Sequence, residues 1–337
     1  MSAAPVRRLW AFWTEPIDPA PLALFRILLG LTVFLSALTG VGARLALDLG
    51  ADGLVPAAAL GSWPRDTGRF CLLVGPGGVP LLEDCFPPDG AVARTWAELG
   101  ERLWFNAVLF AVWMAAVLGM TVGLWTRTTT VAAWALACSF QTRLWPMNNG
   151  GDALYRIGLF YLIFSRAGAA WSADAWLRRR RGLPTPERVP PWPMRLLQIQ
   201  LVLVYLFSGV AKVAGGYPED AASVWDAVRR HDYWNGTAVY WLLNDATLNR
   251  VPYRLAPVPL AVCRLLSWAT LVFELGFPWL VLWRRTRPWL LLGGLGFHLG
   301  ILLATEVGWF SPVMMCWYAL FVRPSTATGI LQRLARW

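Results

Sequence analysis

LLQIQLVLVYLFSGVAK, residues Leu196 to Lys212, decides the fold: it is an apolar run that closes on the only lysine of the chain. Every other basic residue among the thirty Lys and Arg is arginine. With its flanks the run covers 195–214, close to the ~20 apolar residues that cross hydrocarbon at ~1.5 Å per residue. Runs of similar character lie near 20–41, 103–125, 128–146, 153–169, 257–283, 287–305 and 307–322. The expected fold is all-α, a polytopic transmembrane bundle of about eight helices. It divides the chain into an N-terminal segment 1–19, a transmembrane domain 20–322 and a tail 323–337.

Composition points the same way. Of 337 residues 57% are hydrophobic and 15% charged, and the mean hydropathy of +0.47 is too high for an ordinary soluble domain. The net charge of +10 does not indicate nucleic acid, because the arginines collect between the apolar runs, as at Arg178–Arg181 and at Arg284, Arg285 and Arg287. Membrane topology explains them, and no soluble domain is present to carry a groove-binding or stacking surface. Arg7 and Arg8, Arg127, the 166–195 linker, the 284–287 turn and Arg323, Arg333 and Arg336 all fall on one side. Both termini are then cytoplasmic, and two long loops, 42–102 and 215–256, lie outside with the Asn148–Asp152 and Glu306 turns. The first eighteen residues lack a signal-peptide pattern, so the first run is a retained anchor. A composition rich in Ala, Arg, Gly and Pro, of the kind GC-rich codons produce, accounts for part of the lysine's rarity and places the protein in a bacterial inner membrane.

Cys138, Cys263 and Cys316 sit inside expected helices as small apolar residues, whereas Cys71 and Cys85 share the first outer loop, where an oxidising compartment permits a structural disulfide. Two histidines and no acidic cluster argue against a metal, since His231 lies beside Arg229, Arg230 and Asp232 in a loop.

The polar residues at membrane depth carry the chemistry. Gln198, Tyr205, Ser208 and Lys212 follow spacings of seven, three and four, one stripe of a helix. Ser267, Thr270 and Glu274 form a second stripe; Gly294, His298 and Thr305 form a third. Gly293, Gly296 and Gly300 offer the other side of that helix for close approach by a neighbour. Lys212, Glu274 and His298 are the candidate catalytic groups, with Tyr205 and Ser208 beside them. Arginine keeps its proton at any usable pH, but a desolvated lysine amine can lose it and act as a base. The bland reading makes Lys212 and Glu274 a buried ion pair that joins two helices, and His298 a packing residue. A carboxylate close to Lys212 favours the ammonium and so opposes the base role. Asn148, Asn149 and Asp152 form a tight turn in which Asp152 either caps the following helix or pairs with Arg156. The functional alternative has this turn lining an outer binding cavity. Arg26, inside the first apolar run, either snorkels to the surface or pairs within the bundle.

Nine segments in chain order resemble the horizontally transferred transmembrane (HTTM) domain family, whose best-known member is the vitamin K-dependent gamma-carboxylase. They are PLALFRI (Pro21–Ile27), ADGLVP (Ala51–Pro56), GLWTR (Gly123–Arg127), NNGGD (Asn148–Asp152), WSAD (Trp171–Asp174), YLFSGVAK (Tyr205–Lys212), WNGTA (Trp234–Ala238), FEL (Phe273–Leu275) and FHLGILLATEVGWF (Phe297–Phe310). The resemblance implies a membrane enzyme in which Lys212 deprotonates a reduced vitamin K-type quinone. Oxygen addition then gives an epoxide and drives carboxylation of a glutamate in a peptide or protein acceptor. Two departures stand against a full transfer. The carboxylase has a histidine just before the lysine-bearing helix, where this chain has Glu187, Arg188 and Val189, and it has a large lumenal substrate-binding domain after its helices, where this chain has only the tail. The expected partners are the lipid bilayer, a quinone or lipid-like molecule and an unidentified acceptor. The alternative is a non-catalytic module that binds a lipid, peptide or partner protein. A transporter is the weakest reading, since no internal symmetry or pair of broken helices is evident.

Overall fold

A computed structural model of the chain describes residues 4–49, 53–54, 95, 98–214, 232–244, 249–250 and 258–335. Cys71, Cys85 and His231 lie outside the described residues. The described residues form fourteen helices: α1 (Ala4–Thr14), α2 (Ala20–Ala37), α3 (Ala43–Asp48), α4 (Leu103–Val122), α5 (Thr126–Arg143), α6 (Gly150–Phe164), α7 (Ala173–Arg180), α8 (Trp192–Ala214), α9 (Asp232–Asn235), α10 (Ala238–Asn244), α11 (Leu260–Leu280), α12 (Arg287–Ala304), α13 (Phe310–Trp317) and α14 (Pro324–Leu334). The fold is all-α, and among the described residues there is no strand, only the isolated bridges Ile17–Val189 and Asn249–Thr305.

Each of the eight expected runs is helical, but among the described residues five helices are long and apolar enough to cross a membrane: Ala20–Asp48, Leu103–Val122, Trp192–Val213, Leu260–Leu280 and Arg287–Ala304. The other three fall short for separate reasons. Four threonines open α5 and Gln141, Thr142 and Arg143 close it. Helix α6 has fifteen residues, and the last apolar helix covers only Phe310–Phe321.

The chain forms two compact units, Met1–Met194 with Arg323–Trp337, and Arg195–Val322. In the first, α2 packs on α4, α4 on α5, and α5 on α6, while α14 lies against α2. Trp113 stacks on Phe140 with ring centroids 5.0 Å apart, and its indole N–H donates to the Ala133 carbonyl at 3.1 Å. Cys138 is buried and free here, as Cys263 and Cys316 are in the second unit.

Three of the short motifs converge at one end of this unit. Arg26 is fully buried and donates from Nη1 to the Ala167 carbonyl at 2.6 Å and from Nη2 to the Trp171 carbonyl, so it pairs inside the fold and does not snorkel. Ser172 caps α7 by accepting from Ala175 N at 2.9 Å. Asp174, two residues on, caps α5 instead: its carboxylate accepts from the backbone of Trp125 and Thr126, both at 2.8 Å, and from Thr126 Oγ1 at 2.6 Å. Gly123 turns the chain between α4 and α5 in the left-handed region at φ +73°, against Ser172 and Arg26. PLALFRI, GLWTR and WSAD are thus parts of one hydrogen-bonded joint.

In the second unit α12 packs on α13 and on α11, and α9 and α10 lie on α11. The close approach on α12 is not where the sequence suggests. A Cβ at Gly293, Gly296 or Gly300 would meet no described atom within 4 Å, whereas Gly294 is pressed against Tyr318. The expected glycine face is therefore unoccupied by any described helix, because the small residue needed for contact is the one on the His298 stripe.

Gly123→Ala adds a Cβ 2.4 Å from Ser172 Cβ and forces a non-glycine residue into left-handed backbone, which alone costs about 1–2 kcal/mol. We expect it to lower the thermal midpoint of the purified protein in detergent by several degrees, while Gly293→Ala leaves it unchanged or raises it. Equal midpoints for the Gly123 and Gly293 variants would contradict the joint.

Candidate functional site

The 3.6-residue period of α8 sets Tyr205, Ser208 and Lys212 on one stripe, and the second unit turns that stripe toward α11 and α12. Two polar clusters result. In the first, the Lys212 ammonium donates to Ser208 Oγ at 2.6 Å and to Glu274 Oε1 at 3.0 Å, with Glu274 Oε2 at 2.8 Å. The carboxylate side chain is 7% exposed and the lysine 22%. The amine is therefore engaged on both sides yet not sealed. Gly209 lets α8 approach this closely, since a Cβ there would strike Leu275 at 2.8 Å.

The second cluster is drier. Tyr205 OH hydrogen-bonds His298 Nε2 at 2.7 Å and also Tyr318 OH. Tyr205 has a single hydroxyl proton, so it donates to at most one of these two partners. All three are buried. Phe277 lies against the Tyr205 ring with centroids 4.1 Å apart, and Phe273, Phe297 and Phe310 close the surroundings. His298 Nδ1 has no hydrogen-bond partner among the described residues.

The described parts of the 215–256 segment fold onto α11 and the end of α12. The Trp268 indole donates to the Trp234 carbonyl at 2.9 Å, and Val239 N donates to Ser267 Oγ at 3.1 Å. This holds α9 so that the Tyr233 ring lies 5.4 Å from the Lys212 nitrogen, within cation–π reach. Burial, and secondarily the Glu274 carboxylate, push the Tyr233 hydroxyl above the usual phenol range. Beyond the end of α12, Arg250 grips Glu306 through two bonds, Nε–Oε1 at 2.8 Å and Nη2–Oε2 at 3.0 Å, while Arg250 N donates to the Ala304 carbonyl at 3.0 Å. The hydrogen bonds from Arg250 hold the Glu306 carboxyl below its ordinary range.

The candidate residues thus sort into groups. Lys212, Ser208 and Glu274 are together, as are Tyr205 and His298. Gln198, on the same stripe, donates to the Leu320 carbonyl at 2.7 Å and fastens the base of α8. Asn148, Asn149, Asp152 and Arg156 belong to the first unit. There Asp152 takes the capping alternative: Asn149 Oδ1 accepts from Gly151 N at 2.7 Å, Asp152 Oδ2 accepts from Asn149 N at 2.8 Å, and Asn148 donates to the Gln141 carbonyl at 2.6 Å. A capping box accounts for the placement of Asn149 and Asp152. Of the two readings of Lys212, the ion pair with Glu274 is present, a carboxylate on a neighbouring helix being a cheap partner for an ammonium at membrane depth. Tyr318, Tyr233 and Arg250 went unread, since each lies in a short or irregular segment with no periodicity to place it. Among the described residues no three His, Cys, Asp or Glu side chains gather as a metal site requires.

Span-length helices enclosing paired polar groups define a multi-pass helical membrane protein. The family model for the HTTM domain matches residues 98–325, well over half of the chain, and the protein belongs to the HTTM family. No solved structure matches it.

A charge stranded by loss of its partner is costly in a low-dielectric interior. Lys212→Met and Glu274→Gln should each destabilise, by on the order of 3 kcal/mol for the variant that leaves the buried carboxylate alone. Lys212→Met combined with Glu274→Gln should cost clearly less than the two single losses added, read from unfolding of the four proteins in detergent. Simple addition of the two single effects would show that the pair does not interact.

Proposed function

We propose that the protein is a membrane enzyme of the carboxylase-like kind, in which Lys212 and Glu274 act as one proton-accepting unit toward a reduced quinone. For the amine to act, its proton moves across the contact of 2.8–3.0 Å onto the Glu274 carboxylate. A hydroxyl of the quinol that meets the pair gives it a second proton, which leaves an ammonium beside the new oxyanion. Ser208 fixes the direction of the lysine, and the Tyr233 ring covers it from the loop side. Overall, reduced quinone and dioxygen yield quinone epoxide and water; carbon dioxide and an acceptor enter only if the epoxidation is coupled to carboxylation. The single observation that supports the reading is the geometry of Lys212: an amine aimed by Ser208 and Glu274 and still partly open.

A second reading is a non-catalytic module that binds a lipid, peptide or partner protein. The same ion pair favours it, since joining α8 to α11 is a sufficient task for the two side chains. Lys212→Arg separates the readings, because arginine preserves the charge but cannot give up its proton.

The experiment is an epoxide assay on purified wild type, Lys212→Arg and Lys212→Met in lipid nanodiscs, supplied with a reduced naphthoquinone and oxygen. Wild type should form epoxide, and both variants should lose at least about a hundredfold, the range of a missing acid–base group. No epoxide from wild type, or equal amounts from all three, overturns the enzymatic reading.

A further inference from the structure

Topology accounts for the side of the membrane on which the arginine run after the first-unit joint lies, but among the described residues no ion pair engages it. Arg178, Arg179, Arg180 and Arg181, at the C-terminal end of α7, are all exposed. Arg180 lies over Trp176 with its guanidinium carbon 4.1 Å from the ring centroid. Arg178 makes only a long contact of 3.4 Å to the Pro184 carbonyl. The one acid on the helix, Asp174, is spent on the cap of α5, so no carboxylate on α7 offsets the four cations.

Their level in the membrane follows from the joint. Asp174 N donates to the Gly123 carbonyl at 2.9 Å, and its carboxylate holds Trp125 and Thr126. That turn follows the last residue of α4, a helix long and apolar enough to span the bilayer. Helix α7 therefore begins where a span ends, and its arginines lie within about 10 Å of that point at 1.5 Å per residue. The headgroup layer is of similar thickness, about 5–8 Å on each side of the hydrocarbon. Two tryptophans of the same corner are exposed, Trp125 at 72% and Trp176 at 46%, the placement of interfacial anchors. Leu118, Val122 and Leu124 are exposed beside them and offer an apolar surface for acyl chains. Arg127, also exposed, opens the helix that Asp174 caps.

We propose that this corner is a binding site for anionic phospholipid, in which Arg178–Arg181 and Arg127 take the headgroup phosphate and Trp125 and Trp176 flank the glycerol. Guanidinium suits a phosphate through paired N–H donors, and the neighbouring apolar surface selects a lipid over a free anion. The helix macrodipole favours cations at this end of α7, but only by a few tenths to one kcal/mol within the last turn, and it gives no reason for two tryptophans.

The test is retention of phosphatidylglycerol against phosphatidylcholine by the full chain, purified from mixed micelles and read by native mass spectrometry. Wild type should retain phosphatidylglycerol preferentially. Each arginine near an anionic headgroup contributes about a fivefold factor, so Arg179→Gln with Arg180→Gln should reduce retention more than tenfold, and replacement of all four by Gln should abolish the preference. Replacement by four lysines should keep part of it, and Trp176→Ala should weaken it with the charge intact. The two-residue variant serves if the four-residue one fails to insert. Unchanged retention in a folded Gln variant, or no preference in wild type, overturns the proposal. So does full displacement of the lipid by glycerol phosphate at equal concentration, which would mark a site for soluble phosphate.

Discussion

A charge at membrane depth has to be matched by a partner, and this constraint organises both units of the protein. In the first, the Arg26 guanidinium is satisfied by the carbonyls of Ala167 and Trp171, which draws the segment before α7 onto α2. In the second, Lys212 and Glu274 meet across two helices and are joined by Ser208. The helices supply apolar mass, which in lipid gives little direction to their packing. The polar contacts, together with small residues such as Gly209 and Gly294, determine which faces meet.

The helices themselves were legible in the sequence, and so were the stripes, because a period of 3.6 is visible wherever polar residues interrupt a long apolar run. Ser208, Lys212 and Glu274 were found that way, and so were Tyr205 and His298. What could not be read was the choice among partners. Periodicity places a residue on a face but does not say which neighbour occupies it, so Gly293, Gly296 and Gly300 read as the face of close approach, whereas Gly294, on the polar stripe, makes the contact. Tyr318 completes the buried chain with Tyr205 and His298, yet it sits in a short 3-10 turn after α13, where the helical period has ended. The Asn148–Asp152 turn shows the opposite case: residues with the look of a ligand site are used up by helix capping.

Family membership and geometry bear on function differently. Membership in the HTTM family agrees with the membrane architecture and leaves the reaction open. The geometry narrows the question to Lys212. The carboxylate beside Lys212 favours its ammonium form, so the proposed chemistry requires the lysine to pass its proton to Glu274 before the amine can accept one.

Since Lys212 is the only lysine in the chain, labelling with 15N-lysine gives the whole protein a single side-chain nitrogen signal, an unusually clean probe of the central contact. Solid-state NMR of the protein in lipid, with 13C in the Glu side chains, should show that nitrogen coupled to one carboxyl carbon, and the coupling should vanish in Glu274→Gln. A nitrogen signal with no carboxyl neighbour, exchanging freely with bulk water, would contradict the paired site on which this account stands.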